Sequence, residues 1–138
     1  MPLEYPPEAA NAPLFAADIV RTAHDVHGAD LDYSPASLDA ADAILGGFHD
    51  QGLDLNEVLD TAFGLGCYLG EVMVRYAKAE WVDFDEERRE IFDLPFGVKI
   101  GESNYFSPVG KAYKRVLNGP EDSLRALFNV VASGVHLA

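Results

Sequence analysis

The sequence has little cysteine, few basic residues and no long hydrophobic run. Its single cysteine, Cys67, cannot form an intrachain disulfide, which favours a reducing compartment, so we expect a cytoplasmic protein. No stretch reaches the roughly 18 consecutive apolar residues that a membrane-spanning helix requires. The opening MPLEYPPEAANAPLF lacks the basic segment of a secretory signal, and we expect no such signal. These features argue against a disulfide-stabilised or membrane-embedded protein.

Basic residues are scarce and unevenly distributed. The chain of 138 residues carries 23 acidic and 10 basic residues, for a net charge of −13. Residues 1–60 hold 12 of the acids and one base, Arg21, so this part alone carries −11. The negative electrostatic field of these residues repels phosphates and anionic lipid headgroups, so we expect neither nucleic-acid nor membrane binding. It would attract a basic protein; the alternative is that the acidity only keeps the chain soluble.

The sequence patterns predict an α+β fold. We expect a single domain at residues 13–138, preceded by an extended arm at residues 1–12. We predict N-terminal helices from Asn11 to Gly28 and from Ser34-Pro35 onward. They surround a central apolar helix, which begins at the capping-box pair Asp54 and Glu57.

The second half predicts a small antiparallel β-meander followed by two C-terminal helices. Short aromatic and β-branched segments indicate its strands: EWVDF, EIFDL and FGVKI. The mixed-charge DEERR between them predicts a solvated turn. One C-terminal helix is predicted from Ser107-Pro108 to Gly119, and PEDSLRALFNVV predicts the last, with Pro120, Glu121 and Asp122 in its first turn.

Glu71, in GLGCYLGEVMVRYAKAEWV, is the only charged residue between Thr61 and Val74 of the central helix. Burial of an unpaired carboxylate costs several kcal/mol, so the Glu71 side chain must be protonated, paired with another group or partly exposed to solvent. Arg75 lies one turn later and the Trp81 indole N–H is a further donor, which favours a structural tie between helix and sheet. The alternative is a ligand-binding or acid–base site at Glu71, with Tyr68, Trp81 and Tyr105 as its walls.

The glycines of the same segment lie close together, at Gly64, Gly66 and Gly70. They approach the spacing of a dinucleotide-binding loop, but that loop must follow a strand and open a helix. Here the preceding residues are themselves helical. We therefore interpret the glycines as positions of close packing, with the Trp81 ring as a candidate neighbour.

Histidines and the thiol complete the candidate groups. His24 and His27 are three residues apart and could share a metal, but zinc takes three or four ligands, and His49 and His136 lie in unrelated segments. We predict no metal and no cofactor. We interpret Cys67 as an inert core thiol.

The second helix carries a candidate acidic face for binding a partner, formed by Asp39, Asp42 and Asp50 on its predicted wet side. We expect a protein–protein interaction module without catalytic activity that binds a basic protein, for example an immunity-like or antitoxin-like inhibitor. It would be a monomer or a homodimer. The alternatives are a small-molecule binding protein or enzyme with its site around Glu71, and a structural subunit of a homo-oligomer.

Two motifs resemble a bacterial domain family of unknown function. One is a G-x-Y-L-G-E helix followed by tryptophan, and the other is a late proline segment ending in N-G-x-x-D-S-L; the resemblance covers roughly residues 30–130. The motif positions in this chain are Gly66, Tyr68, Leu69, Gly70, Glu71, Trp81, Pro108, Asn118, Gly119, Asp122, Ser123 and Leu124. The resemblance implies a bacterial origin and an α+β fold, and it brings no established activity.

Overall fold

A computed structural model describes residues 5–137, with side chains described through residue 134. Within that range the chain forms six α-helices and one three-stranded antiparallel sheet, which confirms the predicted α+β fold. The elements are α1 (Ala12–His27), α2 (Leu38–Asp50), α3 (Leu59–Tyr76), β1 (Glu80–Asp83), α4 (Glu86–Phe92), β2 (Phe96–Ile100), β3 (Asn104–Phe106), α5 (Pro108–Asn118) and α6 (Leu124–Leu137).

Helix α3 lies at the centre of the domain. Every residue from Ala62 to Met73 is buried, and α1 and α5 supply most of the surface that covers it. A helix that is apolar on nearly all sides must find neighbours on several of them, because burial of its side chains is its main source of stability. The prediction of a central apolar helix is confirmed.

Several helices begin at the capping residues that the sequence predicts. Ser34 Oγ accepts from the Ser37 amide in a short 3₁₀ turn before α2, and Ser107 Oγ accepts from the Gly110 amide at the start of α5. Asp54 and Glu57 form the predicted capping box, here on a 3₁₀ turn that leads into α3. Gly28 ends α1 in the left-handed conformation, with φ of 65°.

The last helix begins later than predicted. Pro120–Asp122 forms a separate 3₁₀ turn, and α6 starts at Leu124. Ser123 Oγ accepts from the Ala126 amide at 3.1 Å, so Ser123 is the N-cap residue of the helix. The prediction that Pro120, Glu121 and Asp122 lie in the first turn of this helix is therefore wrong.

The meander is confirmed as a topology, with strand order β1-β2-β3, but one predicted strand is wrong. EIFDL belongs mainly to α4, and DEERR begins that helix and is not a turn. Asp85 accepts from the Arg88 amide at 2.9 Å, and acidic residues in the first turn suit the helix dipole. The third strand is instead the short NYF segment, whose Tyr105 pairs with Lys99 of β2.

The start of the chain differs from the extended arm predicted for residues 1–12. Ala9–Asn11 forms a 3₁₀ turn that runs into α1, and residues 1–4 lie outside the described range. The buried Ala9 donates its amide to Asp83 Oδ1 at 2.8 Å, which attaches this turn to β1. Among the helices of the described residues, none has the length and apolar character needed to cross a membrane.

Candidate functional site

The glycines of α3 are contact points with three different neighbours. A Cβ on Gly66 would overlap the backbone of Val109 in α5, and a Cβ on Gly70 would overlap the Trp81 ring. At Gly64 it would come within 2.9 Å of Ile19 Cβ in α1. All three glycines lie inside a helix, so they form no phosphate-binding loop. Their missing side chains bring α1, α5 and the sheet close to α3.

Glu71 is buried next to the indole that occupies the Gly70 gap. The Trp81 Nε1–H donates to Glu71 Oε1 at 2.8 Å, which links α3 to β1. Arg75 Nη2 lies 3.7 Å from the other carboxylate oxygen, Oε2, and the Glu71 side chain is only 11% exposed. Both oxygens therefore face a positive or N–H group of the protein itself. These contacts are those of a structural tie between helix and sheet.

A second group of polar contacts, centred on the Tyr68 hydroxyl, lies beside the pairing of Glu71 with Trp81. The Tyr68 hydroxyl accepts from the Tyr33 amide at 2.7 Å and lies 2.5 Å from Ser37 Oγ. Tyr33 has a positive φ of 67°, which is unfavourable for an aromatic residue, and the hydrogen bond from its amide helps to hold that conformation. The guanidinium of Arg75 stacks over the Tyr33 ring at 3.7 Å. Tyr33 had no sequence signal that would identify it as part of the cluster.

The cluster formed by Tyr33, Ser37, Tyr68, Glu71, Arg75 and Trp81 holds its polar groups in internal contacts. Burial raises the pKa of Tyr68 and, more strongly, that of the neighbouring Cys67, so neither group supplies a nucleophilic anion near neutral pH. Tyr105, a predicted wall, instead lies against Phe84 and under Arg88. The clefts between α1 and α2, at the end of α1, and between α4, α5 and α6 are lined by other residues. This geometry weakens the interpretation of Glu71 as a ligand-binding or catalytic group.

The proposed acidic face of α2 needs correction at Asp42. Its carboxylate accepts from the Leu124 amide at 2.7 Å, from the Arg125 amide and from Ser123 Oγ, so it caps α6 from another helix. Arg115 Nε lies 3.6 Å away, and Asp42 is only 14% exposed. Asp42 is therefore not on the wet side of α2, because the start of α6 packs there. Asp39, which is 71% exposed beside Arg125, and Asp50 do face solvent.

Arg115 is a second residue that sequence patterns did not identify. It lies against Gly46 of α2, where a Cβ would overlap its guanidinium, and its Nε and Nη1 have no hydrogen-bond partner among the described residues. Asp42 supplies the balancing charge. This pairing joins α2 to α5, two helices far apart in the sequence, so no local pattern could reveal it.

The histidines lie in separate environments. His24 Nδ1 lies 2.9 Å from Asp30 Oδ1, and this hydrogen bond together with the charge of Asp30 raises the pKa of His24. The His27 ring packs edge-on to Phe48, and His49 Nδ1 contacts the Val116 carbonyl at 2.7 Å. His136 lies outside the residues whose side chains are described. Over residues with described side chains, no group of three or more metal-ligating residues is assembled.

An acidic cleft lies where α1 ends and the loop to α2 begins. Asp25, Asp30 and Asp32 line it together with two basic residues, His24 and Arg21, and Val20 and Leu31 contribute apolar surface. Its volume is about 390 Å³. Asp32 accepts from the amide and hydroxyl of Ser34, which lowers the pKa of its carboxyl and keeps it ionised. A cationic side chain would meet carboxylates here with an apolar floor beneath its stem.

Comparison with known proteins adds no family or function. No family model matches the chain, and neither the curated proteins nor the solved structures give a match. The resemblance to a bacterial domain family therefore stays a prediction.

Proposed function

We propose that this protein is a non-enzymatic interaction module that binds a basic protein through the surface formed by residues 1–60. The observation that carries the proposal is the charge of −11 in residues 1–60, against −2 in the rest of the chain. A field of one sign steers an oppositely charged partner and selects against others. An immunity-like or antitoxin-like inhibitor of a basic enzyme is one concrete form. We further propose a bacterial, cytoplasmic setting, consistent with the lone buried thiol.

The placement of the carboxylates supports this proposal. Besides Asp39, the exposed acids of this part of the chain include Asp25, Asp30, Asp32, Asp50, Asp54, Glu57 and Asp60. Among the described residues, Asp25, Asp50 and Asp60 have no hydrogen bond or ion pair that would satisfy them internally. Arg21, the one base of residues 1–60, already pairs with Asp18. These three carboxylates therefore present their charge to solvent without an ion pair, whereas Asp30 and Asp39 lie beside His24 and Arg125.

The acidic cleft gives the surface a shape as well as a charge. A lysine or arginine of the partner could lay its aliphatic stem on Val20 and Leu31 and direct its charged end to Asp25. Interfaces with charge complementarity gain mainly in association rate and specificity. We therefore expect the partner's association rate, more than its dissociation rate, to depend on these acids.

The test compares two sets of three neutral substitutions. Asp25→Asn, Asp50→Asn and Asp60→Asn together remove three free charges of the proposed surface. Glu90→Gln, Glu102→Gln and Glu121→Gln remove three exposed charges from the other half. Binding to the basic proteins encoded beside the gene is measured by surface plasmon resonance at 50 mM and 500 mM salt. We expect the first set to lower the association rate about tenfold at low salt, and the second about twofold or less.

The opposite result would refute the proposal. A partner bound through residues 61–138, with an affinity that does not change with salt, could not be held by the acidic surface. Equal effects of the two variant sets would show that only the net charge matters, and not the surface formed by residues 1–60.

A further inference from the structure

The C-terminal half contains a second cleft of opposite character. It lies between α4, the start of α5 and α6, and has a volume of about 260 Å³. Phe92, Phe106 and Leu127 line it with apolar surface, and Ile91 stands at its edge with 68% of its surface exposed. Gly110 leaves its wall without a side chain on that turn of α5. This groove does not depend on the surface that we propose for a basic partner.

The charge of this groove is unusual for so acidic a chain. Its lining includes two lysines, Lys111 and Lys114, and no acid. The Lys111 ammonium pairs with Asp122 Oδ1 at 2.9 Å. The aliphatic part of the Lys111 side chain therefore lines the groove while its charge faces a carboxylate. Lys114 is exposed and makes no hydrogen bond or ion pair with any described residue. The charge of Lys114 also helps to lower the pKa of the Asp122 carboxyl. Two lysines therefore share one acid, and a positive charge remains beside an apolar, partly aromatic cleft.

We infer that this groove binds a small organic anion with an apolar tail, the anionic group on Lys114 and the tail against Phe92, Phe106 and Leu127. The volume lies between a cavity that takes benzene, about 150 Å³, and the pockets of about 300–1,000 Å³ that hold drug-sized molecules. It suits a ligand of about ten non-hydrogen atoms. A peptide helix would need a longer groove with anchor pockets spaced over two turns. The charge of Lys114 selects an anion over a neutral or cationic compound of the same shape.

The test uses octanoate as the probe and amide NMR spectra of the full chain as the readout. Octanoate carries one carboxylate on a tail of the required size, and we expect it to bind with a Kd of about 1 mM. Octylammonium and octanol present the same tail with a positive or no charge, and acetate presents the carboxylate alone. We expect shifts at Gly110, Lys114 and Leu127 with octanoate, and at least tenfold weaker binding of the other three compounds.

Two exposed positions provide variants that should leave the fold intact. Lys114→Glu reverses the free charge, and Ile91→Glu places a carboxylate at the edge of the groove. Each should weaken octanoate binding at least tenfold. Lys78→Glu and Val26→Glu make the same changes at exposed positions outside the groove and should leave binding within twofold.

Several results would overturn the inference. One is the absence of shifts in the groove at 10 mM octanoate. Another is equal binding of octylammonium, or binding that Lys114→Glu does not alter, because either would show that the cation does not select the ligand. Binding of an acidic amphipathic peptide without binding of octanoate would assign the groove to a protein partner and refute the small-ligand inference.

Discussion

At the scale of single residues, the molecule shows how a carboxylate can be buried inside an apolar helix. Glu71 is tolerated because Trp81 donates to one oxygen and Arg75 lies near the other. The sequence could predict both partners, since Arg75 is one helical turn away and Trp81 follows the end of the helix. It could not predict Tyr33, whose position depends on a left-handed backbone in the loop before α2.

Substitutions at Glu71 should separate its hydrogen bond from its charge. Glu71→Gln keeps an oxygen for the Trp81 N–H and loses only the long, half-exposed pairing with Arg75, so we expect a loss of about 0.5–1 kcal/mol in unfolding free energy. Glu71→Ala leaves the indole N–H without an acceptor and opens a cavity, for a loss of about 2–4 kcal/mol. Urea unfolding followed by circular dichroism measures both. An equal cost for the two variants would show that the charge, and not the hydrogen bond, is what stabilises the site.

At the scale of elements, the sequence is most informative where a capping side chain and the amide that it binds lie within a few residues of each other. The caps at Ser34, Asp54 and Ser107 act on amides two or three residues away, and all were predictable. The cap of α6 by Asp42 was not, because that carboxylate comes from α2, in the first half of the chain. EIFDL was misassigned because aromatic and β-branched residues resemble a strand, whereas the Asp85 cap and acidic first turn favoured a helix.

Helix propensity and packing make opposite predictions for the glycines. Gly47 of α2 has open space where a Cβ would lie, so Gly47→Ala should stabilise the protein by about 0.5–1 kcal/mol. Gly66 meets the backbone of Val109, which cannot move aside easily, and Gly66→Ala should destabilise it by about 2 kcal/mol or more. Thermal unfolding of the two variants provides the comparison. Stabilisation by both changes would mean that α3 does not lie against the Val109 backbone of α5 at Gly66.

Two aspartates one turn apart on α2 should differ sharply in their effect on stability. Asp42→Ala removes the carboxylate that caps α6 and leaves Arg115, whose side chain is 11% exposed, without a counter-charge, for an expected loss of about 3 kcal/mol. Asp39→Ala breaks only an exposed pairing with Arg125 and should cost about 0.5 kcal/mol or less. Urea midpoints of the two variants test this contrast. A large loss at Asp39 together with a small one at Asp42 would contradict the assignment of Asp42 as the α6 cap.

At the scale of the whole molecule, charge acts against the folded state while it defines the proposed surface. The folded chain confines a net charge of −13, most of it in residues 1–60, and this self-repulsion weakens as salt screens it. We therefore expect the melting temperature to rise by several degrees between about 10 mM and 500 mM sodium chloride. Differential scanning calorimetry measures it, and a melting temperature that falls over that range would mean that ion pairs outweigh the repulsion.

The proton of a partly buried phenol, that of Tyr113, should link stability to pH at the alkaline end. Burial raises the pKa of Tyr113 from 10.0 to about 12, so between these values the folded chain binds a proton that the unfolded chain has lost. Its contribution to stability is therefore complete below pH 10 and declines as the pH rises toward 12. After allowance for the partial exposure of this ring, we expect the decline to be about 1–2 kcal/mol.

The matched variants Tyr113→Phe and Tyr76→Phe isolate this effect. Phenylalanine at position 113 has no proton to lose, so the loss of stability between pH 10 and 12 should be smaller in that variant than in the wild type. Tyr76 is 56% exposed, and its replacement should leave the decline unchanged. Unfolding free energies from urea titrations at pH 9, 10, 11 and 12 give the slopes. If the unfolding free energies of all three proteins change with pH in the same way, the Tyr113 hydroxyl is exposed to water. The edge of α5 that carries it would then not pack against the central helix.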